Sequence, residues 1–144
     1  EGGALGGTVD LSGTSPDVLL LGVDSFDDTG TSIALGDTNS DGFLEVLLSA
    51  SAADGPANDR NAAGETQLVF GAASHPAVVD LSMATVGTTV VYGANATDAM
   101  GRHQGATALA DIDGDGRADI CIGSFRGTNG TLSVPGRLDC FLSP

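Results

Sequence analysis

Short apolar runs separated by glycine-rich and acidic turns dominate this chain, and no segment of ten or more residues has the 3.6-residue period of a helix. Several runs are rich in β-branched residues and apolar on consecutive positions, which is typical of strands covered on both faces. The predicted strands lie near residues 8–11, 18–21, 33–35, 44–48, 66–70, 78–81, 89–92, 107–110, 119–122 and 137–142. We therefore expect an all-β fold.

The same unit of about 70 residues occurs twice along the chain. The segment VDLS begins at Val9 and again at Val79, and an acidic loop begins at Asp37 and again at Asp111. Three extra residues near Arg102 widen the spacing in the second copy. Repeats of this kind indicate propellers, solenoids or arrays. The predicted domains are a first repeat with an N-terminal strand segment at residues 1–78 and a second repeat at residues 79–144.

Each repeat contains one acidic loop, DTNSDGFLE at residues 37–45 (loop one) and DIDGDGRAD at residues 111–119 (loop two). Oxygen-bearing side chains occupy positions 1, 3, 5 and 9 of both loops, and glycine occupies position 6. Ca²⁺ takes six to eight oxygen ligands at about 2.3–2.6 Å, and the backbone carbonyl of position 7 can supply one more. The predicted ligands are Asp37, Asn39, Asp41, the Phe43 carbonyl and Glu45 in loop one, and Asp111, Asp113, Asp115, the Arg117 carbonyl and Asp119 in loop two.

These spacings predict two Ca²⁺ ions, each bound in the turn of a β-hairpin, with Glu45 and Asp119 as bidentate ligands. An EF-hand would require a bidentate glutamate at position 12 and flanking helices. Position 12 is Leu48 in loop one and Ile122 in loop two, and both belong to strand-like runs. The alternative is an acidic surface turn that binds nothing, but it leaves like charges crowded without a counter-ion. Magnesium fits less well because it demands strict octahedral geometry.

The overall charge narrows the range of partners. The formal net charge is −14, and the basic residues are five arginines with no lysine, so the surface should repel nucleic acid and anionic membranes. No apolar run approaches the roughly 18 residues that span a bilayer, so we expect no membrane insertion.

Two further kinds of site are indicated by local patterns. Cys121 and Cys140 both lie in strand-like runs and are expected to pair in an oxidising compartment, the alternative being two buried thiols. Asn95 and Asn129 each begin an acceptor triplet for N-glycosylation, which matters only in a eukaryotic secretory route.

A wider motif surrounds loop one: GTSIALGDTNSDG at residues 30–42, an apolar strand, and then Val69-Phe70-Gly71. Loop two has a similar setting after Gly101. This pattern resembles the FG-GAP repeat, which builds the β-propeller heads of integrin α-subunits and of many secreted microbial proteins. The resemblance implies Ca²⁺ binding by the loop residues already named. It also implies two blade-like antiparallel sheets stacked face to face, which do not close a propeller by themselves.

The chain departs from that family pattern in two places. The Gly-Ala-Pro element after the loop is replaced by residues 49–51 and 123–125, and the closing Phe-Gly is absent from the second repeat, where Cys140-Phe141 stands. No nucleophile, zinc or phosphate-binding motif is present, and His75 and His103 belong to no recognisable motif. We therefore expect no catalytic residues and no enzyme.

Two blades leave apolar faces and unpaired strand edges at both ends, which favours association. The predicted function is a secreted, calcium-stabilised structural or adhesive module that forms a homo-oligomeric ring or filament, with an extracellular protein or a glycan as a further partner. The alternative is a fragment of a larger carbohydrate-binding or enzyme-associated β-propeller. With one tyrosine and no tryptophan, the chain offers few platforms for sugar stacking.

Overall fold

A computed structural model describes residues 6–83, 87–127 and 136–144, and within these residues it contains nine strands and no helix. The strands are β1 (Leu19–Leu21), β2 (Thr29–Gly36), β3 (Glu45–Ala50), β4 (Glu65–Val69), β5 (Val78–Asp80), β6 (Thr88–Tyr92), β7 (Thr107–Ala110), β8 (Asp119–Ser124) and β9 (Arg137–Phe141). The all-β prediction is confirmed. Within the described ranges no helical segment could span a bilayer.

The strands form two antiparallel sheets and one parallel pair. Blade one is the four-stranded sheet β2-β3-β4-β6, and blade two is the three-stranded sheet β7-β8-β9. The parallel pair joins β1 to β5. Strand β6 comes after the second VDLS segment along the chain, yet it forms the outer edge of blade one. Blade one is therefore completed by a strand from the second repeat.

Other elements pack on both faces of blade one, which agrees with the consecutive apolar residues of its strands, although Ile33 and Leu35 of β2 stay exposed. On one face Leu48 and Val69 pack with Val79 of β5, and Leu20 of β1 packs against this cluster. On the other face blade two stacks closely. A Cβ atom added to Gly36 would lie 2.7 Å from the Cβ of Leu109, so these sheets approach to backbone distance.

The strand predicted at residues 8–11 is absent, and this prediction was wrong. Its counterpart in the second repeat, β5, pairs with β1 of the first repeat, and among the described residues no strand precedes residues 8–11 to pair with them in the same way. The segment instead ends in a turn, in which the amide of Ser12 donates to Asp10 Oδ1 at 2.9 Å and the amide of Gly13 donates to the Asp10 carbonyl at 3.1 Å. The other predicted strands are present, with ends shifted by a few residues.

Candidate metal centre

Loop one connects β2 to β3 and loop two connects β7 to β8, so each lies in the turn of a β-hairpin as predicted. The two loops share their backbone conformation. Position 4 has a positive φ in both, 59° at Ser40 and 82° at Gly114, and so does position 6, 84° at Gly42 and 92° at Gly116. Glycine at position 6 relieves the strain that a side chain would meet there.

Side-chain oxygens in loop one accept hydrogen bonds from backbone amides further along the loop. The Gly42 amide donates to Asp37 Oδ2 at 3.0 Å, the Asp41 amide donates to Asn39 Oδ1 at 2.9 Å, and the Phe43 amide donates to Asp41 Oδ1 at 2.8 Å. Each hydrogen bond links the side chain of a predicted Ca²⁺ ligand to the loop backbone. The side chains at positions 1, 3 and 5 are therefore oriented by the turn itself.

Loop two repeats this arrangement. The Gly116 amide donates to Asp111 Oδ2 at 3.0 Å, the Asp115 amide donates to Asp113 Oδ1 at 3.2 Å, and the Arg117 amide donates to Asp115 Oδ1 at 2.8 Å. The same three positions accept bonds from the same three amides in both loops. The similarity predicted from spacing therefore extends to hydrogen-bond geometry.

In each loop three carboxylates converge. Ligand-capable oxygens of Asp37, Asp41 and Glu45 lie within 4.8 Å of one another, and those of Asp111, Asp113 and Asp115 do so in loop two. Such a set of hard oxygen donors suits Ca²⁺. The cluster of loop one is partly enclosed because Glu45 is buried, whereas all three carboxylates of loop two are exposed.

One atom of loop one gives a direct test of whether a cation fits. Asp37 Oδ1 is buried and has no hydrogen-bond partner among the described residues. A buried carboxylate oxygen without a partner is costly, because it has lost its hydration and gained nothing in return. A cation bound between Asp37, Asp41 and Glu45 would satisfy it. The residues of loop one therefore fit Ca²⁺.

The carboxylates at position 9 bind the loop backbone. In loop one, Glu45 Oε2 accepts from the Thr38 amide and from Thr38 Oγ1, the latter at 2.7 Å. In loop two, Asp119 Oδ2 accepts from the Ile112 amide at 2.8 Å. Both side chains thus close the loop onto its second residue and are fully buried.

Each position-9 carboxylate accepts a second hydrogen bond at the end of its blade. Glu45 Oε1 accepts from the Gly71 amide at 3.4 Å, and a shorter bond near the chain terminus is made by Asp119. Its Oδ1 accepts a hydrogen bond from the Ser143 amide at 2.8 Å. This bond and the one from Ile112 lower the pKa of Asp119, because both stabilise the charged form. Asp119 is not one of the three convergent carboxylates of loop two. Its bidentate role, like that of Glu45 and like the carbonyl ligands at Phe43 and Arg117, stays a prediction.

The predicted disulfide is present in the structure. Cys121 and Cys140 are direct cross-strand partners in β8 and β9, with their Cα atoms 4.2 Å apart, and a disulfide joins them. Of the two glycosylation triplets, Asn95 is exposed, and its amide donates to Asp98 Oδ2 at 3.0 Å. Asn129 lies outside the described residues.

An acidic group that the sequence analysis did not identify surrounds the start of β4. Burial raises the pKa of Glu65, and the charges of Asp27 and Asp24 raise it further. The pKa of Asp27 is also raised, by burial and then by its acidic neighbours Asp24, Asp54 and Asp28. The acidic residues at 24–28 are far in sequence from Asp54 and Glu65, so no local pattern could have grouped all of them.

The two histidines are both exposed. His103 contacts Phe125 edge-on, with ring centroids 4.9 Å apart, and Arg102 and Arg126 lie over the same ring. The contacts of His103 and Phe125 are those of ring packing at the surface.

Comparison with known proteins agrees with this geometry. Residues 29–68 match the family model of the FG-GAP repeat, and this range contains β2, loop one, β3 and most of β4. No curated protein matches the chain. Residues 29–68, which form most of blade one, are therefore similar to an FG-GAP repeat, the unit from which β-propeller blades of that family are built.

Proposed function

We propose that the chain is an extracellular, calcium-stabilised structural or adhesive module that assembles with copies of itself through its two ends. The observation that carries the calcium part is the unpartnered, buried Asp37 Oδ1 within the carboxylate cluster of loop one. The observation that supports assembly is the exposure of β9, whose counterpart β4 is entirely buried.

Calcium would act here as a structural ion. The ligands of each loop lie in a hairpin turn that links neighbouring strands of one blade, so an ion there would hold the two strands together. Without the ion, three convergent carboxylates repel one another in each loop. Binding to the folded chain alone stabilises it by mass action. A catalytic role would require a substrate pocket with an acid–base pair, and no motif of that kind supports one.

An extracellular setting is supported by two observations. The chain has a disulfide between Cys121 and Cys140, and disulfides persist in oxidising compartments. Extracellular fluids also contain enough Ca²⁺ to fill sites of modest affinity, such as the exposed cluster of loop two.

Two measurements test this function. Equilibrium dialysis against about 1 mM Ca²⁺ should show two ions bound per chain, and sedimentation at micromolar protein concentration should show species larger than one chain. A metal content near zero would contradict the calcium part. A compact monomer at every concentration would contradict assembly and favour the alternative, in which the two repeats belong to a longer propeller.

The assembled form can be a ring or a filament, because contacts between unlike surfaces close only when the rotation per copy divides a full turn. Negative-stain microscopy with and without chelator distinguishes these forms and shows whether calcium is needed for either.

A further inference from the structure

We infer that copies of this chain join head to tail by repeating the interface that already links its two repeats. Strand β1 of one copy would pair with the open edge of β9 of another copy, and residues 8–11 would pair with β6. This inference rests on the proposed self-assembly and specifies its surfaces and strand register.

The first argument is the pairing of β4 with β6. The VDLS segments show that β6 is the counterpart of β1, and Leu20-Leu21-Gly22 corresponds to Val91-Tyr92-Gly93. The cross-strand partners show that β9 is the counterpart of β4. Ala50 pairs with Glu65 in blade one, and Ser124 pairs with Arg137 in blade two. Within the chain, therefore, the strand that follows the VDLS segment closes the blade before it. Among the described residues, no blade precedes β1 and no strand closes the outer edge of β9.

Burial shows the same division. Every residue of β4 is buried, whereas Leu138 and Phe141 of β9 are 68% and 46% exposed. The opposite end of the chain shows the same contrast. Thr107 of β7 is 5% exposed where blade two meets blade one, but its counterpart Ile33 in β2 is 60% exposed. Each end of the chain thus exposes residues whose counterparts are buried at the contact between the two repeats.

The second pairing concerns residues 8–11, which correspond to β5 and its turn. In the second repeat, β5 pairs in parallel with β1, with Val79 opposite Leu20. It ends in a turn where the Ser82 amide donates to Asp80 Oδ1 at 3.0 Å. In the first repeat the same turn is present, from Ser12 to Asp10 Oδ1 at 2.9 Å, although the segment has no strand partner. The segment already has the local structure that its paired counterpart has.

A third element, the loop after β1, is also formed in advance. Its backbone has positive φ at Phe26, Asp28 and Gly30 (72°, 60° and 97°), and so does the loop after β6, at Thr97, Ala99 and Gly101 (68°, 50° and 73°).

The loop after β6 has a partner that explains its conformation. Amides of Thr97, Ala99 and Met100 donate to carbonyls of residues 61–63 in blade one, and residues 98–100 are buried there. Residues 27–29 are not buried, and the Ala52 amide of the same repeat donates to the Asp27 carbonyl at 3.0 Å. The loop after β1 therefore has the docked conformation although no described blade precedes it to dock on.

Charge is complementary between the two ends. Three of the five arginines lie together at the open end of blade two, where Arg102 and Arg137 line one surface pocket and Arg126 stacks on Phe125 of the same pocket. At the other end, the loop after β1 carries Asp24, Asp27 and Asp28. In the repeated interface this acidic loop would face the start of β9, next to the arginines, of which Arg137 is also paired with Asp139 of its own strand at 2.6 Å. Opposite charges at the two ends favour the head-to-tail order over head-to-head contacts.

The strand pairing has a definite register. Carrying the β4–β6 partners over to β9 and β1 of the next copy places Arg137 opposite Leu21, Leu138 opposite Leu20 and Asp139 opposite Leu19. The Gly93 amide donates to the Gly64 carbonyl at 2.8 Å, which makes residues 64 and 93 a hydrogen-bonded pair. Because such pairs alternate with non-bonded ones, Arg137 and Leu21 form a non-bonded pair, whose Cα atoms approach to about 4.5 Å.

Cysteine trapping tests this register. One copy carries Arg137→Cys and the other carries Leu21→Cys, and the two are mixed under mild oxidation in Ca²⁺ with the native disulfide intact. In the matched control, the second copy carries Leu19→Cys in place of Leu21→Cys. Leu19 and Leu21 lie on the same side of β1 and are 41% and 42% exposed, so the two cysteines would be equally accessible. We expect the Arg137–Leu21 link to form about ten-fold faster than the Arg137–Leu19 link, because only the first pair reaches disulfide distance.

Proline at Leu138 provides a second test that does not depend on cysteine chemistry. The alternation of bonds directs the Leu138 amide to the open edge of β9, so Leu138→Pro removes a donor to the next copy and none to β8. Leu138→Ala removes the same side chain and keeps the amide. We expect the proline variant to associate about ten-fold more weakly than the alanine variant, with equal melting temperatures for the two monomers.

The outcomes separate this inference from the function on which it rests. If the chain assembles but the two cysteine links form equally fast, or if proline and alanine at Leu138 associate equally, the register is wrong and assembly stands. If neither the variants nor the parent chain assembles, both the proposed register and the proposed self-assembly are wrong.

Discussion

The two repeats of this chain have the same loop, the same hairpin and the same turn after VDLS, yet blade one is complete and blade two is open. Blade one has four strands and a fully buried β4, whereas blade two has three strands among the described residues and an exposed last strand. The difference lies in the neighbour of each repeat along the chain, because the second repeat supplies β6 to the first. A repeat of this kind is therefore finished by its successor, as in other repeat proteins whose units bury their faces only by stacking.

Blade two compensates in part through covalent and terminal contacts. The Cys121–Cys140 disulfide links β8 to β9, and Ser143 donates to Asp119 Oδ1 at 2.8 Å and to the Ala118 carbonyl at 2.7 Å. The bond to Asp119 is shorter than its counterpart in blade one, from the Gly71 amide to Glu45 Oε1 at 3.4 Å. Blade one has no cysteine and closes its corresponding edge with β6. The comparison predicts that the two blades depend on different interactions, which can be removed one at a time.

Calcium removal should have the largest effect, because it acts on both blades. At a Ca²⁺ concentration of 100 times Kd, each site contributes about 2.7 kcal/mol to the free energy of unfolding, so chelation should remove about 5 kcal/mol from a two-site chain. The melting temperature in excess chelator, compared with that in Ca²⁺, measures the loss.

Single-loop variants divide this effect between the blades. Asp41→Ala should cost more than Asp115→Ala, because the cluster of loop one contains a buried carboxylate and a buried unpartnered oxygen, whereas the cluster of loop two is exposed. Equal melting temperatures with and without chelator for the parent chain would contradict the calcium proposal. Equal losses in the two variants would contradict the difference between the loops.

The disulfide should matter next, and only for blade two. Replacing both Cys121 and Cys140 by alanine opens a loop with a sequence separation of 19 residues. A closed loop of that size restricts the unfolded chain by about 3 kcal/mol, so the free energy of unfolding should fall by that amount. Denaturant titration measures it. Hydrogen exchange should show faster opening at β8 and β9 with β3 and β4 unchanged, and uniform acceleration across both blades would contradict the division.

The sequence predicted the strands and the metal loops better than it predicted which strands pair. Loop ligands lie within nine residues, so their spacing alone indicates the chemistry, and the hairpins around them are local as well. The edge role of β6 and the missing strand at residues 8–11 depend on which partner is free, a property of the whole chain. The acidic group around Glu65 and the unpartnered Asp37 Oδ1 are also products of packing between distant segments.

Two equivalent glycines offer a matched measurement of repeat docking. Gly30 and Gly101 both have positive φ, but a Cβ atom at Gly101 would collide with Ser49 Oγ, whereas one at Gly30 would meet nothing within 4 Å. Gly30→Ala should cost about 1 kcal/mol from backbone strain alone, and Gly101→Ala about 2–4 kcal/mol because overpacking adds to the same strain. Equal losses of stability in the monomer would show that the two repeats do not dock as described.

The smallest expected effect on stability comes from Glu65, which lies in β4 beside β6. Its counterpart in blade two is Arg137. Burial and the neighbouring Asp27 and Asp24 raise the pKa of Glu65, so its charged form destabilises the folded chain. Protonation relieves this cost. Stability should therefore be highest below the unfolded pKa of about 4.3 and fall as the pH rises through the raised pKa of the folded state.

Glu65→Gln should accordingly raise the free energy of unfolding at pH 7 by about 1 kcal/mol, with the gain vanishing toward pH 4. The amide also supplies a donor for Gln67 Oε1, which is buried and has no partner among the described residues. Asp24→Asn removes one neighbouring charge and leaves the carboxylate in place, so it should give a smaller gain with the same pH dependence. Unfolding in chelator at pH 4, 5.5 and 7 measures both variants without interference from Ca²⁺. A gain for Glu65→Gln that is equal at all three pH values would show that lost charge is not its cause, and that the buried carboxylate is satisfied in blade one.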